Sequence, residues 1–184
     1  MTDPISPDEV LEFWYSAAMR PRWFDSTPQL DAEIRRRFEA LWQRAANGEL
    51  DHWCGNAEGC LALVIVLDQL PLNMFRGQAE SFLTEAQAVA ASKLAIARGY
   101  DKQIPPERRA FLYMPLMHSE NLADQDLSVR MFEQSGLEGN MRWARHHREL
   151  IRKYGRFPHR NASLGRESSP EERAYLASKE AFLG

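Results

Sequence analysis

The chain has 184 residues, 44% of them hydrophobic and 27% charged, with a formal net charge of −3. That length and balance suit one domain that buries its own core, and they exclude a disordered chain. The mild acidity argues against a general nucleic-acid binder. The longest apolar run, Cys60 to Leu67, falls far short of the ~20 residues that span a bilayer.

The opening MTDPISPDEV is acidic and polar, unlike a secretory leader, so a cytoplasmic location is expected. Ser6-Pro7-Asp8-Glu9 reads as a helix start: a capping hydroxyl, a proline at the first position, and acids at the positive end of the dipole. Val10, Phe13, Trp14 and Ala17 then share one face. A second helix is expected from Pro28, behind the cap Thr27, to Asn47, with Leu30, Ile34, Phe38, Leu41 and Ala45 inward and Arg35, Arg36 and Arg37 solvated. Trp53 is expected to pack on the core. The third helix, Asn56 to Leu70, is apolar all round through Cys60–Leu67 and so should be central and buried. Pro71 should kink or end it, leaving a short turn from Leu72 to Phe75.

Thr84 to Arg98 is alanine-rich and helical, and Gly99 stops it. Pro105-Pro106-Glu107 opens the next helix, with Phe111, Met114 and Met117 inward and Pro115 expected to shorten or bend it. Asn121 to Gln134 and Asn140 to Tyr154 follow, the latter with Trp143, Leu150 and Ile151 inward. Arg156 to Ser169 reads as a long ordered loop. Ser169-Pro170-Glu171-Glu172 starts a last helix reaching about Phe182. The fold class is therefore all-α: about eight antiparallel helices, joined by short connections into irregular hairpins. The ~34-residue consensus of tetratricopeptide repeats is not visible.

Cys54 and Cys60 are separated by five residues, which is not the C-x-x-C of a redox motif. Two reduced thiols is the expectation. His52 stands near them, but no second half of a zinc site follows, and no metal set is assigned.

Four polar clusters break the amphipathic pattern. Asp68 and Gln69, with Asn73 and Arg76, end a helix that is apolar all round. An acid there should be buried, and Arg76 is the nearby candidate partner. His118-Ser119-Glu120-Asn121 places an imidazole and a carboxylate at a helix end, a pairing suited to acid–base work or to a plain cap. Of His146 and His147, one should lean inward. Last, Tyr154 to Asn161 and Leu164 to Arg166 form a donor-rich loop in which Arg156, His159, Arg160 and Arg166 could grip a carboxylate or phosphate. From Arg142 to Arg166 there are eight Lys/Arg and one Asp/Glu, a local charge of +7. Such asymmetry fits either an anionic ligand or docking onto the protein's own acids.

The chain has no phosphate-cradling G-x-x-x-x-G-K-[ST], no G-x-G-x-x-G after a strand, no H-E-x-x-H and no G-x-S-x-G. Basic and aromatic residues alternate from Trp143 to Phe157, but no RNA-binding motif accompanies them, so a nucleic-acid partner is not expected.

The stretches LALVIVLDQLPLNMFRG (61–77), ERRAFLYMPLMHSE (107–120) and YGRFPHRNASLGRESSPEERAYL (154–176) resemble, in this order, a bacterial family known as domain of unknown function 924. FWYSA (13–17) and the helix around Ile34 and Phe38 fit it too. The resemblance implies an all-α fold related to the tetratricopeptide superfold, and no established activity. The family's D-Q-F-P-R-N is matched by Asp68, Gln69, Pro71 and Asn73. Leu70 and Leu72 depart from it, and Leu72 stands where relatives have a basic residue.

Two readings of function result. In one, a polar pocket between helices binds a small anion, with or without transforming it. His118 and Glu120 are then the acid–base candidates, and Asp68, Gln69, Arg76, Arg156, His159, Arg160 and Arg166 the ligand-binding ones. In the other, a tetratricopeptide-like groove binds a peptide or protein without catalysis. Whether the protein is an enzyme, what cofactor it uses and its oligomeric state stay open.

Overall fold

The computed structural model describes residues 5–184, so the reading of Met1 to Pro4 lies outside the described residues. Every regular element among them is helical. The described residues form two compact units: residues 5–76 together with Glu80–Pro115, and Gly77–Ala79 together with Leu116–Gly184.

The first unit starts at α1 (Pro7–Trp14), capped as expected. The Ser6 amide donates to Glu9 Oε2 at 2.8 Å and the Glu9 amide to Ser6 Oγ at 3.3 Å, a reciprocal box. α2 (Pro28–Ala46) buries Ile34, Phe38, Leu41, Trp42 and Ala45. Phe13 meets Phe38 with ring centroids 4.9 Å apart, and Trp14 meets Phe111 edge-on at 5.4 Å. α3 (Ala57–Val64) is buried on all sides. The apolar window Ala57–Met74 is long enough to cross a membrane by length and composition, yet 89% of it is buried inside the protein, as befits a core helix.

Pro71 does not end this helix, and Leu72–Met74 are helical, with the turn starting only at Phe75. One wide π-turn, Ile65–Gln69, carries the chain into α4 (Leu70–Met74), and the Leu70 amide reaches back to Ile65 O. A proline at 71 cannot donate to Leu67 O. The Thr84 hydroxyl does so instead, at 2.6 Å, and itself accepts from Trp42 Nε1 at 3.0 Å. The sequence shows the missing donor at Pro71 but not its replacement, 17 residues beyond Leu67. α5 (Glu85–Ala97) follows. α6 (Pro106–His118) likewise runs on through Pro115, with the Ser92 hydroxyl donating to Leu112 O in the preceding turn at 2.6 Å.

Gly59, in the first turns of α3, is fixed by a close approach. A Cβ there would sit 2.2 Å from Trp53 O and 3.1 Å from its carbon, both backbone atoms. Alanine is normally favoured over glycine inside a helix by about 1 kcal/mol. Gly59→Ala should reverse that sign and lower stability by about 2 kcal/mol, because backbone cannot rotate aside as a side chain can. Urea denaturation of Gly59→Ala beside Gly139→Ala, an open helical site, measures the contrast.

The second unit holds the end of α6, then α7 (Leu122–Gln134), α8 (Glu138–Tyr154) and α9 (Pro170–Leu176). α8 buries Ala144, His147, Leu150 and Ile151. Trp143, expected inward, is one step off that stripe and 44% exposed, with Arg142 over its ring and Phe182 5.8 Å away. Gly155 ends α8 in the left-handed region at φ +70°. Leu150, Ile151 and Phe157 form a small core against which Tyr154, Tyr175 and Phe182 pack. α9 has the expected Ser169–Glu172 box but stops at Leu176, short of Phe182.

Candidate functional site

In the first unit, the cluster ending the central helix is buried as expected: Asp68 and Gln69 are each only 5% exposed. Gln69 Nε2 donates to Asp68 Oδ2 at 2.6 Å and to Met114 Sδ at 3.6 Å. The expected partner of Asp68 lies elsewhere. Arg76 grips Asp31 on α2, Nε to Oδ2 at 2.8 Å, while Asn73 Nδ2 and Ser26 Oγ donate to Asp31 Oδ1 at 2.8 and 2.7 Å. Burial pushes the Asp31 carboxyl up, but these donors outweigh it and hold it below the usual carboxylate range. Asp31 had no sequence signal, because Asn73 and Arg76 lie more than 40 residues on.

In the second unit the turn after α6 is built by side chains that answer backbone groups. Asn121 Oδ1 accepts from the amides of Ala123 and Asp124, opening α7. Gln125 Nε2 takes Met117 O and Ser119 O, each at 2.7 Å. Ser119 Oγ donates to Asp124 Oδ2 at 2.8 Å. His118 and Glu120 are thus presented by a fixed corner.

Glu120 is held by three donors. Arg166 forks onto it, Nη1 to Oε2 at 2.8 Å and Nη2 to Oε1 at 2.9 Å, and the Phe157 amide donates to Oε1 at 2.8 Å. Burial raises the carboxyl, but Arg166, the Phe157 N–H and the charge of Arg160 more than compensate and keep it below the usual range. Glu120 is accordingly an ionised structural anion, poorly placed to deliver a proton. The network continues from Arg166 Nε to Asn161 Oδ1 at 2.9 Å, and from Asn161 Nδ2 to Glu172 Oε2 at 3.2 Å. Arg156 closes it, with Nε and Nη2 each 2.8 Å from a Glu172 oxygen. That fork, with the Ser169 amide, brings Glu172 down to about 2.

The basic stretch therefore docks largely on the protein's own acids, Arg145 on Glu133 and Arg148 and Arg152 on Asp126 included. Arg160 Nη2 donates to His118 O at 2.7 Å, and its guanidinium lies 4.6 Å from the Phe157 ring centre.

Next to Arg160 lies a group of imidazoles. The His159 ring is 5.5 Å from Phe157 and 5.0 Å from Phe182, and its Nδ1 is buried without a hydrogen-bond partner among the described residues. Burial first, then the charges of Arg160, His118 and Arg166, push it down to about 4. His147, 5% exposed, is the inward member of the His146-His147 pair. It donates Nδ1–H to Trp143 O at 2.8 Å, and burial pushes it down to about 3.

His118, His159 and Arg160 line neither of two open clefts. One, of about 530 Å³, is bounded by Lys153, Tyr154, Arg156, Ser169, Glu171 and Glu172. Another, of about 370 Å³ in the first unit, is bounded by residues including Tyr15, Arg20, Glu58 and Arg108. Among the described residues no group of three or more His, Cys, Asp or Glu is arranged to hold a metal ion.

The model of a bacterial protein family of unknown function, DUF924, matches residues 10–180. No curated protein matches the chain. A solved structure of a protein of unknown function from Agrobacterium tumefaciens is similar over 93% of this chain and 96% of its own, at 38% identity and a TM-score of 0.87.

Proposed function

For a chain that belongs to the bacterial DUF924 family of unknown function, we propose the binding of a small anionic ligand in the second unit by His118, His159 and Arg160. The supporting observation is the buried, unpartnered Nδ1 of His159, in a ring lowered by burial and by the charges of Arg160, His118 and Arg166. A buried polar atom without a partner is costly, and an anion bound by a protonated His159 would supply that partner. Arg156 and Arg166 hold the loop through Glu172 and Glu120. Asp68, Gln69 and Arg76 belong to the first unit, each with partners there.

Thermal-shift measurements with inorganic phosphate, sulfate and di- and tricarboxylates test this. An anion at 100 times its Kd adds about 2.7 kcal/mol, a rise of roughly 5–10 °C for a chain of this size. The shift should be lost in His159→Gln. It should also grow between pH 7 and 5, because a bound anion raises the His159 pKa and binding takes up a proton. No shift with any anion from the folded protein would overturn the reading and favour the peptide groove.

A further inference from the structure

Cys54 and Cys60, the only cysteines of the chain, are both reduced and both buried. Their Sγ atoms lie 2.6 Å apart, about half an ångström beyond the ~2.05 Å of a disulfide bond. The local chain holds them there. Asp51–Gly55 forms a 3-10 turn, and Asn56 then caps α3 by accepting the Gly59 amide at 2.9 Å. Gly59 has only hydrogen where Trp53 O presses in, so the turn lies directly on α3. From α5 and just beyond it, Arg98 Nη1 donates to Cys54 O at 2.8 Å and the Tyr100 hydroxyl to Gly55 O at 3.1 Å. No side chain separates the sulfurs, and three elements of the first unit fix their approach.

We propose that Cys54 and Cys60 are a reversible oxidation site, converted by peroxide to an intramolecular disulfide and restored by a dithiol. Cys54 is the attacking sulfur. It keeps 6% exposure beside the exposed Gly55, whereas Cys60 has none. The hydrogen bond with Cys60 also lowers the Cys54 thiol, and the same bond, with burial, raises Cys60. In the first step the Cys54 thiolate attacks a peroxide oxygen and the O–O bond breaks. Cys54 becomes a sulfenic acid, and the leaving hydroxide takes a proton to give water. In the second, Cys60 sulfur attacks the Cys54 sulfur and displaces hydroxide, which leaves as water with the Cys60 proton. Each sulfur gives up one electron, and the peroxide takes both. A dithiol reverses this by two thiol–disulfide exchanges.

The test is hydrogen peroxide on the full native chain, then N-ethylmaleimide in denaturant and intact mass. The expected product is a monomer two hydrogens lighter than the reduced chain, carrying no maleimide. Dithiothreitol should return both alkylatable thiols. Closing so short a loop should raise Tm by roughly 5 °C under non-reducing conditions. Cys60→Ser should leave Cys54 as a sulfenic acid trapped by dimedone, and Cys54→Ser should leave Cys60 alkylatable. Two maleimides on the peroxide-treated wild type, or oxidation of Cys54 with Cys60 still free, would overturn the proposal. The wild-type masses decide it even if a variant does not fold.

Discussion

Glu120→Ala lowers the stability of the second unit by about 3 kcal/mol, read as a drop in urea midpoint at unchanged m-value. The magnitude rests on what is left behind. The Arg166 fork and the Phe157 amide lose their acceptor together, and both partly buried donors stay in place. A donor abandoned away from water costs about 1–3 kcal/mol, more when charged. Side chains of Glu120 and Arg166 are 26% and 22% exposed, so water reaches in and moderates the loss. Glu120→Gln keeps one acceptor oxygen and should fall between wild type and alanine. Replacing the pair together, Glu120→Leu with Arg166→Met, should recover much of the loss, because no charge is then stranded. A double variant as unstable as the sum of the single ones would show that the two residues act independently.

Much of the helical layout was legible because its signals are local. Ser6, Thr27 and Ser169 each cap the helix they were expected to cap, since a cap is decided within four residues. Neither Pro71 nor Pro115 ends its helix, for a physical reason. Pro71 and Pro115 remove donors, and whether a helix survives depends on the surrounding fold, including a hydroxyl such as that of Thr84. Trp143 misled because hydrophobicity was read without phase: Ala144, His147, Leu150 and Ile151 carry the buried stripe. The clusters around Asp68, Glu120 and the basic loop were visible as departures from amphipathic pattern. Their pairing was not visible, since Arg76 could as well have met Asp68 as Asp31, and the Arg166–Glu120 fork joins residues 46 positions apart. A sequence shows which residues need partners; only packing decides which partners they get.

His147 makes the second unit sensitive to acid above the range of its carboxylates. Its pKa falls from 6.5 in the unfolded chain to about 3 in the fold. Between those values the unfolded state binds the proton and the folded state does not, so stability rises with pH across the window and is lost as pH falls through it. By pH 5 the group should have removed about 2 kcal/mol relative to pH 7 or above, at 1.36 kcal/mol for each unit below 6.5. The cause is packing. The ring stands edge-on to Phe157 at 5.4 Å and to Phe182 at 4.7 Å, and its Nδ1–H is already given to Trp143 O. Protonation would place a charge on Nε2 with little water to solvate it. His147→Phe keeps an aromatic ring against those neighbours and removes the site of protonation. Its stability should change about 2 kcal/mol less than that of wild type between pH 7 and 5, measured by urea melts at each pH. His159, lowered to about 4, should keep a smaller slope in that variant. Equal slopes for wild type and variant would mean that water reaches the His147 ring and that its burial does not govern its charge.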